Sequence, residues 1–396
     1  MLKRLKNYEE ELLRTLPDTF HRYLYDGLVN HDRLTGIIGA AGMGKTTLLL
    51  QRCRALREEH GSEKVLYLTL DYPFLSNMDL VAFAEELHGS GVRYLLIDEI
   101  HKHPHFHQTL KTIYDKVMGM QILFAGSPAM DTSGLGARLT LHRLQGLSFR
   151  ELMSIGRDEP LPHFTLSEIL SDHTLIAKEL SEHFDIAKGI RAYLRRGYYP
   201  AHADPRRTFI RSILDSLNTT LDTDLVTTGK VEQKYTYKMR RVLEVLSRDD
   251  PGRINLSQIA DDAGISRVKL YDYLRFMQEA GLLHLIPKSD KNARQKAKPA
   301  RIYIDNTNLR IFYNPSPEIA NIRETFFVNQ LRVTEKLTAS PEGIFFANNK
   351  WRFQVTKPEK GKEDYFEERP GAYRVVDTLI SEQPYQVPLW LFGFLY

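Results

Sequence analysis

The stretch that most constrains this chain is Gly39-Ala40-Ala41-Gly42-Met43-Gly44-Lys45-Thr46, set between an apolar run, Leu34 to Ile38, and a helical one that follows. It matches the eight-residue pattern G-x-x-x-x-G-K-[ST] in its strand-to-helix context, the P-loop. Such a loop works only where a strand feeds a helix N-terminus, because its backbone N–H groups and the start of the helix together make an anion cradle. Gly39, Gly42 and Gly44 are expected in the positive-φ turns that aim those groups inward. Lys45 is a point charge able to reach β- and γ-phosphates. The Thr46 hydroxyl can take a place on Mg²⁺, which binds through few protein ligands plus phosphate oxygens. Gly39, Ala40, Ala41, Gly42, Met43, Gly44, Lys45, Thr46 and Thr47 are therefore the candidate ligands of a nucleoside triphosphate such as ATP.

A chain of 396 residues exceeds one ordinary core and predicts two or three domains. Apolar residues make up 42% and charged residues 26%, a globular composition. No segment approaches the roughly 20 apolar residues that cross a bilayer. The first ten residues turn acidic at Glu9-Glu10, where a signal peptide would be apolar. Cytoplasmic location without membrane contact is the expectation. Cys53 is the single cysteine and can form no internal disulfide, which fits a reducing compartment. A net charge of +4 is too small to argue for nucleic acid by itself.

Residues 8 to 28 read as one or two amphipathic helices leading to a strand at Leu34–Ile38. Strand patterns recur at Lys64–Leu70, Val92–Ile97, Met120–Ala125 and Leu139–Leu144, alternating with helical ones, the mark of a parallel α/β sheet. The third strand runs into Asp98-Glu99. There Asp98 would hold the metal and Glu99 would accept a proton from, or orient, an attacking water. The bland alternative is a pair of acids complementing a helix dipole. His101, His103, His105 and His107 follow, either as imidazole metal ligands or as an exposed loop. Ser127, at the tip of the fourth strand, is a candidate sensor of the γ-phosphate, with a plain turn as the alternative.

Gly39 to Thr47, Leu95 to His101, Gly126-Ser127, Ala137-Arg138 and Leu147-Ser148-Phe149-Arg150-Glu151 together resemble a bacterial and archaeal family of P-loop ATPases of the AAA superfamily. In that family the ATPase core precedes a domain of unknown function, and the resemblance continues through Gly197-Tyr198-Tyr199-Pro200 and Lys298 to Tyr303. It implies a parallel sheet in the strand order of additional-strand ATPases. It also implies a nucleotide-responsive, catalytic Arg138, acting within its own subunit or on a neighbour. Pro128 departs from the pattern, where relatives carry a small polar residue.

Residues 1–150 are thus expected to form the ATPase core with its lead-in, and 151–235 a helical lid or linker. Arg191, Arg195 and Arg196 stand there as phosphate contacts or as an exposed basic face. Residues 236–314 read as a winged helix-turn-helix. Asn255 caps one helix with Gln258 in the place of a capping-box partner, Gly264 turns, Ser266 caps a second helix, and two strands flank a loop. Lys288, Lys291, Arg294, Lys296, Lys298 and Arg301 make that wing basic, so it either contacts duplex DNA or serves as a packing module. Residues 315–396 resemble a nuclease fold. They lack the strand Asp and following Glu-x-Lys that cleavage needs, and Glu324 alone cannot supply them. The apolar end, Val387 to Tyr396, reads as a buried final strand or a partner-binding edge. The expected activity is hydrolysis of Mg-ATP to ADP and phosphate, coupled to the C-terminal module. The alternatives are a nucleotide-gated DNA-binding regulator and an ATP-dependent scaffold for a protein partner or for a homo-oligomer.

Overall fold

A computed structural model describes residues 2–16, 20–30, 32–72, 75, 78–200, 208–252, 254–289, 298–340, 343–356 and 370–396. The chain divides into two compact units. One comprises residues 1–145, 156–158 and 214–233; the other comprises 146–155, 159–213 and 234–396. Among the described residues no helix is long and apolar enough to cross a membrane.

The first unit is built on β1 (Leu34–Ile38), β2 (Val65–Thr69), β3 (Tyr94–Asp98), β4 (Gln121–Gly126) and β5 (Thr140–Arg143), all parallel, in the order β2-β3-β4-β1-β5. This is an α/β P-loop sheet in the additional-strand order, with β4 inserted between the P-loop strand and the strand ending in Asp98. Helices α1 (Leu2–Arg14), α2 (Lys45–His60), α3 (Leu80–Gly89) and α4 (Phe106–Lys116) accompany it. Every residue of β1 and β2 is buried, as strands in a parallel sheet require, which is why they read as continuous apolar runs. Gly36 lies opposite Phe124 in the register, and a Cβ there would meet the Phe124 ring at 2.5 Å.

The helices expected over residues 8 to 28 are corrected. The single helix α1 starts at Leu2 and stops at Arg14, and the described residues beyond it hold only a 3-10 turn, Asp26–Leu28. Long-range bonds win over helical ones here: Arg22 donates to the carbonyls of Met43 and Gln145, and Gln51 donates to that of Phe20.

In the second unit a buried capping box starts α5 (Phe149–Ser154): Ser148 Oγ accepts the Glu151 N–H, and the Glu151 carboxylate accepts the Ser148 N–H. Helices α6 (Leu166–His183) and α7 (Ile186–Arg196) follow, with Arg191, Arg195 and Arg196 exposed. The helix α8 (Phe209–Asn218) carries the boundary between the units, at Leu214. Next come α9 (Thr236–Arg248), α10 (Leu256–Asp262) and α11 (Arg267–Glu279). Asn255 caps α10 and Ser266 caps α11, with Gly264 at φ +63° between them. The capping box expected of Gln258 is not closed, because its amide donates forward to Asp262 instead. Strands β6 (Leu283–Ile286) and β7 (Arg301–Ile304) pair antiparallel.

Lys291, Arg294 and Lys296 lie outside the described residues. Of the cations beside them, Lys288 is exposed and Lys298 donates to the Ile254 carbonyl. Arg301 corrects the expectation of an all-surface basic wing, since it is buried and bound to Glu324 and Tyr303.

Helices α12 (Thr307–Tyr313) and α13 (Ile319–Leu331) lead to a mixed sheet of β8 (Leu337–Ala339), β9 (Ile344–Ala347), β10 (Trp351–Thr356), β11 (Ala372–Val376) and β12 (Gln386–Pro388), in the order β12-β11-β10-β9-β8. Phe327 of α13 sets its ring against Phe345, Phe353 and Phe392 at 5.3, 5.4 and 4.9 Å. The strand expected over Val387 to Tyr396 is a second correction. Only Gln386–Pro388 pairs with β11, and Leu389–Phe394 forms a fully buried 3-10 helix. A run that is apolar throughout has no period to separate the two outcomes. The Tyr396 carbonyl accepts from Ser148 Oγ and Arg150 Nε, joining this end to α5.

Candidate active site

The turn from β1 into α2 carries the loop. Gly42 and Gly44 sit at φ +80° and +92°, the left-handed region that favours glycine. Gly39 does not, contrary to expectation, and is needed for space: a Cβ there would lie 2.6 Å from the Leu144 carbonyl oxygen. The loop's carbonyls face their own donors. Lys45 Nζ donates to Gly39 and Ala40, Ser216 Oγ to Ala41, and Arg22 Nη1 to Met43 at 2.6 Å. Gly44 at the N-cap offers no side-chain acceptor to the first turn of the 16-residue α2, so its leading N–H groups point at an anion site. Uncapped amides beside a buried lysine fit a polyphosphate.

The strand β3 delivers Asp98 to the same place. Its Oδ2 accepts the Thr46 hydroxyl at 2.5 Å and the Tyr67 hydroxyl at 3.1 Å, and its Oδ1 accepts the Glu99 N–H. Burial, and after it the Glu99 charge, raises the Asp98 carboxyl above the usual range, while Thr46 and Lys45 work the other way. A divalent cation on these oxygens would answer both effects, so the set fits Mg²⁺. Glu99 stands at φ +56°, a conformation rare for a side chain of its kind, which turns it off the end of the strand. Its carboxylate is 3.5 Å from Lys102, whose amine also pairs with Asp71.

Because β4 lies between β1 and β3, its end sits between the P-loop and Asp98. Ser127 is buried there; its Oγ accepts the Ala129 N–H within the turn, and its N–H donates to His101 Nδ1 at 3.1 Å. His101 Nε2 is 3.3 Å from Asp224 and 3.6 Å from Glu99. Arg138 is engaged elsewhere: its guanidinium donates to both carboxylate oxygens of Asp115 on α4. The four histidines after Glu99 do not gather. His103 faces the Met78 carbonyl and His107 lies against Gly134. Among the described residues no group of three or more His, Cys, Asp or Glu is arranged to hold a metal ion.

The structure thus brings Lys45, Thr46, Asp98, Glu99 and Ser127 into one neighbourhood and leaves Arg138 on Asp115. It adds Arg22, Tyr67, Ser216 and Asp224, none of which carries a motif. For Tyr67 alone there was a local signal, a polar group among the apolar residues of β2.

Residues 31–153 match the family described as AAA domain, and residues 187–312 match a domain of unknown function (DUF8612). No curated protein matches the chain. Similar solved structures include a signal transduction ATPase with numerous domains and a tetratricopeptide repeat sensor, from Pyrococcus horikoshii. It is 12% identical at a TM-score of 0.30, over 81% of this chain and 48% of that one, so this chain spans about half its length. The ORC1 protein of Aeropyrum pernix in complex with DNA is 14% identical at 0.30, over 80% and 94%. AMPPCP-bound DnaA of Aquifex aeolicus is 15% identical at 0.25, over 70% and 88%. Likeness this distant says nothing of chemistry. The P-loop, the sheet order and the family match together mark residues 31–153 as an AAA-type P-loop domain, followed by a domain of unknown function over residues 187–312.

Proposed function

We propose that the chain binds Mg-ATP on residues 39–47 and hydrolyses it to ADP and phosphate. The observation that carries this reading is the bond of 2.5 Å from Thr46 Oγ1 to Asp98 Oδ2, which joins two metal-directed groups from separate elements beside the P-loop lysine. Lys45 exchanges the Gly39 and Ala40 carbonyls for phosphate oxygens. Thr46 and Asp98 hold the metal, which when bound neutralises charge on the phosphates. Glu99 accepts a proton from the water whose oxygen bonds to the γ-phosphorus as the bond to the bridging oxygen breaks. Ser127 contributes through its N–H on His101. Arg138 takes no part while it is held by Asp115.

Turnover of ATP by the wild type, Glu99→Gln and Lys45→Ala tests this. A loss of about 100-fold or more is expected for Glu99→Gln, and nucleotide binding is expected to vanish in Lys45→Ala. Equal rates for wild type and Glu99→Gln would sink the assignment.

A second reading, a nucleotide-gated regulator that contacts duplex DNA, is favoured by one observation. Residues 255–304 have the order of a winged helix, and α11 exposes Arg267, Val268, Lys269 and Tyr271 together. Phosphate contacts by these residues and by Lys288, Lys291, Arg294, Lys296 and Lys298 would give a steep loss of DNA affinity with salt. A flat salt dependence, or binding unchanged when Lys291, Arg294 and Lys296 are neutralised, removes this reading.

A further inference from the structure

His101 is fully enclosed, yet its Nε2 makes no well-aligned hydrogen bond among the described residues, and neither does Asp224 Oδ1. Because Nδ1 accepts the Ser127 N–H, the single ring proton sits on Nε2. That N–H faces two carboxylates: Asp224 Oδ1 at 3.3 Å, off the line of a hydrogen bond, and Glu99 Oε2 at 3.6 Å. One proton makes a well-aligned bond to only one of them at a time.

Asp224 comes from far along the chain, on an element with a second hold on the site. Ser216, in α8, donates to the P-loop carbonyl of Ala41. The helix then widens into a π-helical segment, Thr219–Asp224. In an uninterrupted α-helix, residues eight apart differ by about 80° around the axis. The wider turn takes up part of that difference, so one helix addresses the P-loop with Ser216 and His101 with Asp224.

We propose that His101 is a shared donor and that Asp224 is the positioning residue that keeps it off Glu99. When Asp224 takes the Nε2–H, Glu99 is left to orient water; when Asp224 withdraws, His101 binds Glu99 and restrains it. The position of the helix on the P-loop is thereby transmitted to the carboxylate. This rests on the reading of Glu99 as the group that activates water.

The test uses the full chain, with histidine labelled with nitrogen-15 and the His101 signals identified by their loss in His101→Phe. The expected spectrum shows the Nε2–H form, with signals that shift in Asp224→Ala, in the near-isosteric Asp224→Asn and in Glu99→Gln. A proton on Nδ1, or His101 signals that do not move in either Asp224 variant, overturns the proposal whether or not ATP is hydrolysed. In turnover, Asp224→Ala is expected to lower kcat about tenfold with Mg-ATP affinity unchanged, and to cost nothing further in the His101→Phe background. Equal losses in both backgrounds, or no loss in the native one, overturn it as well. Turnover that ignores Glu99→Gln removes the ATPase reading instead, and the spectral arm still decides how His101 is shared.

Discussion

Asp98 is held by more than the loop it serves. The Tyr67 hydroxyl, reaching across from β2, donates to the same oxygen that takes the Thr46 hydroxyl, and so sets the plane of the carboxylate. Groups that orient a metal ligand from behind typically change metal affinity by about 10–100-fold when removed. Tyr67→Phe, which deletes one oxygen, is therefore expected to weaken Mg²⁺ dependence about tenfold while metal-free ATP binding stays the same, as a Mg²⁺ titration of turnover would read. Arg22 does comparable service for the loop itself, donating from a buried guanidinium to the carbonyls of Met43 and Gln145. Hydrogen bonds from charged donors contribute about 1.5–3 kcal/mol. Arg22→Met should lower stability by about 2 kcal/mol in denaturant unfolding and weaken nucleotide binding as well. An unchanged midpoint would show that the carbonyls are indifferent to it.

At the level of elements, the turn between β1 and α2 is confined from one side by the chain that leaves β5. A Cβ on Gly39 would lie 2.6 Å from the Leu144 carbonyl oxygen, which is backbone and cannot rotate away. Gly39→Ala is expected to destabilise by about 1–3 kcal/mol, a cost typical of overpacking, and thermal unfolding with and without ATP would reveal whether the cradle deforms too. Elements governed by short-range pattern were legible: all five parallel strands, the P-loop and Asp98-Glu99 sit within one or two residues of where periodicity placed them. The additional-strand order came from the family resemblance, not from periodicity. What escaped were contacts between residues far apart, such as Ser216 with Ala41 and Asp224 with His101, because a lone Ser or Asp on a helix carries no mark of the partner it will meet. The role of Arg22 was hidden for the same reason. The end of the chain was misread for the opposite one, since ten nearly uniform apolar residues contain no period at all.

On the scale of the molecule, both units enclose charged groups. The first buries Glu9, Arg22 and Asp98 beside the apolar cluster around its sheet. The second encloses ionic groups: Asp305 takes His284 at 2.9 Å, Arg332 at 3.2 Å and the Asn306 amide at 2.9 Å. Burial alone would raise the Asp305 carboxyl, but His284, Arg332 and Asn306 outweigh it and hold it down at about 2. A folded value below the unfolded one means that this stabilisation is present above about pH 4 and is lost as pH falls towards 2. Acid unfolding monitored by circular dichroism should therefore show a loss of about 2 kcal/mol across that window. The same loss should be absent from Asp305→Asn, itself destabilised by about 3–5 kcal/mol at neutral pH because the partly buried Arg332 loses its counter-charge and the buried His284 its carboxylate acceptor.

The scattered make-up of the first unit has a consequence for how the protein comes into being. A chain leaves the ribosome in order, at roughly 5–20 residues per second, so the segment bearing Ser216 and Asp224 emerges about ten seconds after Asp98 and Glu99. Until then the Ala41 carbonyl and His101 wait without those two partners. A nascent chain can expose the P-loop cradle well before the helix that braces it exists, and the site is complete only after residues 214–233 have been made.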